Sequence, residues 1–235
     1  MSLRKALILA AVVLAAAVAV PVLISSPGGS RSSCASGCGV EDFTGTALDP
    51  AQWVGYDGYN PKSAENWQSA KCTVSGGMLH LAADSGGICG VASRTQETFA
   101  NVEVRARFSA PAGAGLAPVF LFWPRDDADW PGAGEIDWLE CYDTARQSFG
   151  SWLHYSRDGA DTADFAGDAR VDMSQWHTYG VEWTAGSVRV LVDGRVWHTY
   201  PRHVPQGPMH LVFQIDRIGP VTGDATVDID WVRHY

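Results

Sequence analysis

Missing from this 235-residue chain, past an apolar run near its N-terminus, is any long stretch whose apolar positions repeat at helical spacing. Parallel strands need crossover connections, usually helices, so the lack argues against a doubly wound α/β fold. A basic excess is missing too: 17 Lys and Arg stand against 26 Asp and Glu, a net charge of −9. That balance argues against nucleic acid or an anionic membrane surface as a partner and weakly disfavours strongly anionic polysaccharides. The five cysteines form no C-x-x-C pair, which argues against a zinc site. No lipobox precedes Cys34, where the residues are Arg-Ser-Ser.

What is present is short and alternating. Val102, Val104, Ala106 and Phe108 interleave with Glu103, Arg105 and Arg107, a strand with one wet face. Ser187–Val192 and Arg195–Tyr200 flank Asp193-Gly194, a two-residue hairpin signal, and Ser75-Gly76-Gly77 turns another. Tyr56–Asn66 reads as a long loop and Gly159–Ala169 as a second, shorter one. Many short strands without crossovers imply an all-β antiparallel sandwich or jelly roll. Hydrophobic residues make up 46% of the chain, and ten are Trp, enough for one large domain with a substantial core.

The N-terminus reads as an export segment. Arg4 and Lys5 precede an Ala/Val/Leu run from Ala6 to Val20, and Ala17-Val18-Ala19 offers a small-x-small cleavage site. Residues 1–24 are thus a signal peptide of a secreted protein or, with Ala6–Ile24 close to spanning length, an uncleaved membrane anchor with the domain outside. Residues 25–37, rich in Ser and Gly, form a tether, and 38–235 form the domain. The cysteines fit an oxidising compartment, with Cys34, Cys38, Cys72 and Cys89 as the even subset, which allows three pairings. Cys141 is left as a buried free thiol.

Residues 135–140, Glu-Ile-Asp-Trp-Leu-Glu, carry three acids in six positions of an otherwise strand-like stretch. Such crowding is costly unless water, a cation or a substrate uses the carboxylates. In a regular strand Glu135 and Asp137 share a face while Glu140, five positions on, points away. A β-bulge at Trp138 or Leu139 restores the parity. Four effective steps then separate the glutamate Cα atoms by roughly 13 Å, at about 3.3 Å per residue. Inward-leaning side chains bring the carboxylates to roughly 5–6 Å, near the ~5–5.5 Å of retaining glycosidases and short of the ~6.5–9.5 Å of inverting ones. Acids alternating on a strand also mark a plain solvated face; the neighbouring Trp123, Trp130 and Trp138 favour a sugar site.

The stretch Phe120–Glu140, FLFWPRDDADWPGAGEIDWLE, resembles the catalytic segment of glycoside hydrolase family 16, with the longer, bulged motif of its laminarinase-like branch. Val91–Phe108, Trp176–Thr184 with Val192-Asp193-Gly194, and Val227–Tyr235 resemble other strands of that family. The resemblance implies a concanavalin-like jelly roll with a concave cleft. It also implies a retaining endo-glycosidase acting on a β-1,3- or β-1,3-1,4-glucan. It assigns Glu135 as nucleophile and Glu140 as acid/base, with Asp137 placed to hold Glu135 and to raise the pKa of Glu140 by its charge.

Trp130 and Trp123 are candidate sugar platforms or core residues. Arg94 matches a basic residue of the family, or serves a surface ion pair; His154 matches a histidine near the acid/base, or is a satisfied core residue. Gln214 is expected to face the cleft, and Tyr59 and Asn60 fall where the family binds sugars on the glycone side. His177, Glu182 and Trp183 read as structural. The chemistry requires no cofactor; the family's structural calcium would fall at Asp230 and the Gly45 region, where an aspartate is otherwise simply solvated. A monomer whose partner is a polysaccharide is expected. Transglycosylation through the same intermediate and a non-catalytic, lectin-like glycan binder are the rival readings.

Overall fold

The computed structural model describes residues 39–61 and 63–235. The export or anchor segment, the tether, and Cys34 and Cys38 lie outside the described residues. No helix among the described residues is long and apolar enough to cross a membrane. Strands dominate, with two single-turn 3-10 segments at Ser69–Lys71 and Asp127–Asp129.

Two sheets face each other. The eight-stranded sheet runs, neighbour to neighbour, through Ala160–Phe165, Ser148–Arg157, Glu135–Glu140, Ala114–Pro124, Met209–Thr222, Gly90–Ser93 and Trp53–Gly55, with Ala169–Arg170 paired to Ser148–Arg157. The eleven-stranded sheet is centred on Ala100–Phe108, between His177–Trp183 and Ala225–His234. This is the β-sandwich jelly roll that alternation implied. Val102, Val104, Ala106 and Phe108 are buried against Phe120, Phe122, Phe149 and Phe213 of the facing sheet. Edge-on and tilted ring contacts such as Phe120–Phe213, with centroids 4.9 Å apart, fill the space between sheets.

Local rules hold at both hairpins. Asp193 and Gly194 have φ of +49° and +72°, and Gly76 and Gly77 of +59° and +73°, as a turn with two left-handed residues requires. Two expectations are corrected. Tyr56–Asn66 contains a hairpin, Gly58–Asn60 with Glu65–Trp67, and Gly159–Ala169 contains the strand Ala160–Phe165. Both are edge pieces, exposed or half-buried along their length, so burial wrote no alternation into them. Cys72 and Cys89 form a disulfide with Cα atoms 5.4 Å apart, and Cys141 is a buried free thiol.

Candidate active site

The bulge lies where parity demands it. Leu121 faces Asp137 while Phe120 faces Leu139, so Trp138 is skipped. On the other flank Asp137 faces Trp152 and Glu140 faces Gly150, leaving Trp138 and Leu139 together opposite Ser151. Both bulge side chains are fully buried in the core. Glu135, Asp137 and Glu140 consequently emerge on one outer face. The bulge has a cost, since the buried Trp138 indole N–H has no acceptor.

Pairing across the sheet sets out rows on that face. Glu140 continues through Val119 and Gln214 to Gly90. Asp137 continues through Leu121 and Val212 to Ala92 on one side, and through Trp152 to Phe165 on the other. Gln214 therefore shares the face of the acids, and its amide donates to Asp216 at 2.7 Å.

Around the acids the hydrogen bonds are specific. The Trp130 indole N–H donates to Glu135 Oε2 at 2.8 Å, and the Tyr142 hydroxyl donates to Glu140 Oε2 at 2.6 Å. His154 faces Glu135 across the strands; its Nε2 lies 3.3 Å from Asp137 Oδ2 and its Nδ1 2.9 Å from Asp161 Oδ1. It thus sits at the Glu135 end of the motif, beside Asp137. Asp137 is buried, and its Oδ1 has no ordinary donor. The Glu135 carboxyl is its hydrogen-bonding neighbour, so a proton between the two acids satisfies that atom.

Electrostatics follow from this crowding. Burial first, and the Asp137 charge second, push Glu135 well above the ordinary carboxyl range, while His154 and the Trp130 N–H oppose. Burial, then the Glu140 charge, push Asp137 well up as well. The bond between the two acids raises Glu135 further and lowers Asp137. Glu140 is also raised, by burial, against the Tyr142 hydroxyl and His154. Desolvation is thus the largest cause of the raised Glu140 pKa.

The other candidates separate. Trp123 stacks on Trp130, centroids 6.1 Å apart and planes 17° apart, and its N–H donates to Asp127. Both rings are half-buried. Arg94 donates to the Pro50 carbonyl at 2.8 Å, and that contact takes the place of the surface ion pair weighed from sequence. Tyr59 and Asn60 lie exposed on the edge hairpin. Nearer the acids is Tyr56, which packs with Trp123 over Ala92, Val119, Leu121 and Val212 and sits edge-on to Trp67 at 5.3 Å. Gly90 makes room, because a Cβ there would come within 2.5 Å of Tyr56 and 2.6 Å of Trp67. Sequence reasoning passed over Tyr56, Trp67, Asp161, Tyr142, Trp152 and Phe165; only the motif-proximal Tyr142 carried a local signal.

His177, Glu182 and Trp183 are structural: His177 binds Asp193, Glu182 pairs with Arg189, and the Trp183 N–H reaches the Pro205 carbonyl. Asp230 pairs with Arg105, which meets its charge, and Gly45 lies in a loop. Among the described residues, the one group spaced like metal ligands is Glu135, Asp137 and His154, with donor atoms within 4.8 Å of one another. The hydrogen bonds above account for that grouping without an ion.

Three acids on one face, with His154 against Asp137, are the kind of arrangement that acid-assisted displacement requires. Residues 60–233 match the family model described as "Glycosyl hydrolases family 16". The chain belongs to that family. As a family 16 member it is a glycoside hydrolase. It is 29% identical to a glucan endo-1,3-beta-glucosidase of Cryptopygus antarcticus over 63% of this chain, although the chain spans only 48% of that relative. It is 26% identical to a beta-glucanase of Rhodothermus marinus, over 83% of this chain and 82% of the relative. Among solved structures, the Rhodothermus marinus laminarinase superposes with a TM-score of 0.69 at 25% identity, covering 83% of this chain and 95% of that one. The beta-glucanase of Bacillus licheniformis shares the fold, with a TM-score of 0.70 at 19% identity over 84% and 97% of the two chains.

Proposed function

We propose that this family 16 hydrolase is a retaining endo-β-glucanase cutting β-1,3- or mixed β-1,3-1,4-glucan. Glu135 attacks the anomeric carbon, and Glu140 protonates the departing oxygen. A water molecule, deprotonated by Glu140, then releases the glycosyl group from Glu135. Asp137 holds the proton that keeps Glu135 ionised, and His154 steadies Asp137. The observation that carries this reading is the bulge at Trp138-Leu139, which turns both glutamates onto one face. The names of the relatives support the glucan class. The N-terminal composition supports an exported enzyme, with residues 1–24 either removed or retained as an anchor.

Reducing-end release from laminarin, mixed-linkage β-glucan, agarose and galactan tests the substrate. Release from the first two alone is expected; release from agarose or galactan alone overturns the assignment. Glu135→Gln and Glu140→Gln are each expected to lose at least about a thousandfold in kcat with the fold intact. Roles are separated with an activated aryl β-glycoside: Glu140→Ala regains turnover with azide and yields a β-glycosyl azide. An α-azide from that variant would reverse the two roles.

A further inference from the structure

Large exposed aromatics are few, and two of them flank the acid/base: Tyr142 is 48% and Phe165 54% accessible. They are the ends of one run. Tyr142 meets Trp152 edge-on at 5.5 Å, and Trp152 lies against Phe165 with centroids 4.4 Å apart. Trp152 stands directly across from Asp137, and Gly150 directly across from Glu140. A Cβ at Gly150 would come within 2.8 Å of Trp152 and 2.9 Å of Phe165, so bare backbone lets both rings lie down beside the acid/base. The run is tied to the chemistry at one point, the Tyr142 hydroxyl that holds Glu140.

We propose that Tyr142, Trp152 and Phe165 form the acceptor and leaving-group platform of this site, taking a β-glucosyl unit by its flat face. Resting on the β-glucanase reading above, the argument is chemical. A β-glucosyl ring sets its hydroxyls equatorial and its C–H bonds axial, so both faces are apolar and suit an aromatic surface. Glu140 is the group that gives its proton to the leaving sugar, so the rings next to Glu140 meet that sugar and not the one held on Glu135. Binding energy collected there lowers the barrier at the bond being broken. The same platform serves the reverse approach. A hydroxyl oxygen of a seated sugar attacks the anomeric carbon, the ester bond to Glu135 breaks, and the hydroxyl proton passes to the Glu140 carboxylate.

The test uses the whole protein with 4-nitrophenyl β-laminaribioside as donor and methyl β-glucoside as acceptor, and reads the ratio of transfer product to hydrolysis product. In the parent protein the ratio rises with acceptor and saturates. Phe165→Ala lowers it about tenfold at subsaturating acceptor, and Phe165→Tyr restores it. Because both products come from one intermediate, a general loss of activity leaves the ratio unmoved. An equal ratio in Phe165→Ala, or a parent ratio indifferent to acceptor, overturns the platform alone. No nitrophenol release by the parent protein overturns the β-glucanase reading, and the platform with it.

Discussion

The Trp130 indole donates its N–H to Glu135, so the ring that sequence marks as a candidate sugar platform also holds the proposed nucleophile. The contact favours the ionised carboxylate, against the burial that opposes it. Trp130→Phe keeps an aromatic face and removes the donor. A charge-assisted hydrogen bond contributes about 1.5–3 kcal/mol, so kcat/KM should fall roughly ten- to a hundredfold. The Glu135 pKa rises without its donor, so the acidic limb of the pH–rate profile moves to higher pH. An unmoved acidic limb would leave Trp130 a platform only.

Tyr142 stands in the same relation to Glu140, with the opposite kinetic consequence. Its hydroxyl lowers a pKa that burial raises, and Glu140, as the proposed acid/base, must be protonated at the start of the reaction. Tyr142→Phe should therefore shift the basic limb of kcat/KM upward by about one unit, the equivalent of one hydrogen bond. A basic limb that stays in place or falls would show that the hydroxyl does not tune the acid.

Leu139 can be deleted on paper without turning Glu140 over. Two residues now stand opposite Ser151, and removing one restores one-to-one pairing with Glu140 still outward. The deletion variant should keep kcat within about tenfold and lose about 2–5 kcal/mol of stability with a buried leucine. Urea unfolding and glucan hydrolysis on one preparation measure both. A folded but inactive product would mean that the bulge shapes the site beyond setting parity.

The Cys72–Cys89 bridge spans a sequence separation of 17 and ties the strand Cys72–Ser75 to the start of Gly90–Ser93, which carries the floor under Tyr56. A loop of that size stabilises by about 3 kcal/mol. Replacing both cysteines by serine should lower Tm by about 6–12 °C, at roughly 2–4 °C per kcal/mol for a domain of this size. Scanning calorimetry with and without reductant checks it.

The parts of the fold legible in sequence are those governed by local rules. Alternation from Val102 to Phe108 needs only one buried face, and Asp193-Gly194 needs only two left-handed residues. The bulge was legible because functional parity and strand parity disagree by one residue, and the structure resolves them at Trp138-Leu139. Gly58–Asn60 and Ala160–Phe165 were not legible as strands, because edge segments carry little buried apolar surface to set a period. The link from Asp137 through His154 to Asp161 spans three strands, and no spacing along one of them encodes it. The same holds for Trp152 and Phe165, which become neighbours only once their strands pair.

Cys141 follows Glu140 directly, fully buried, with its sulfur 3.2 Å from the Arg146 guanidinium and its thiol pushed up by burial. It is the one free thiol among the described residues, and in the closed strand no alkylating reagent reaches it. Its rate of labelling is therefore a clock for local opening of the strand that carries Glu135 and Glu140. Read in a chain whose Cys34 and Cys38 are replaced by serine, that clock reports how often Glu140 leaves its working position, and whether a bound oligosaccharide slows it.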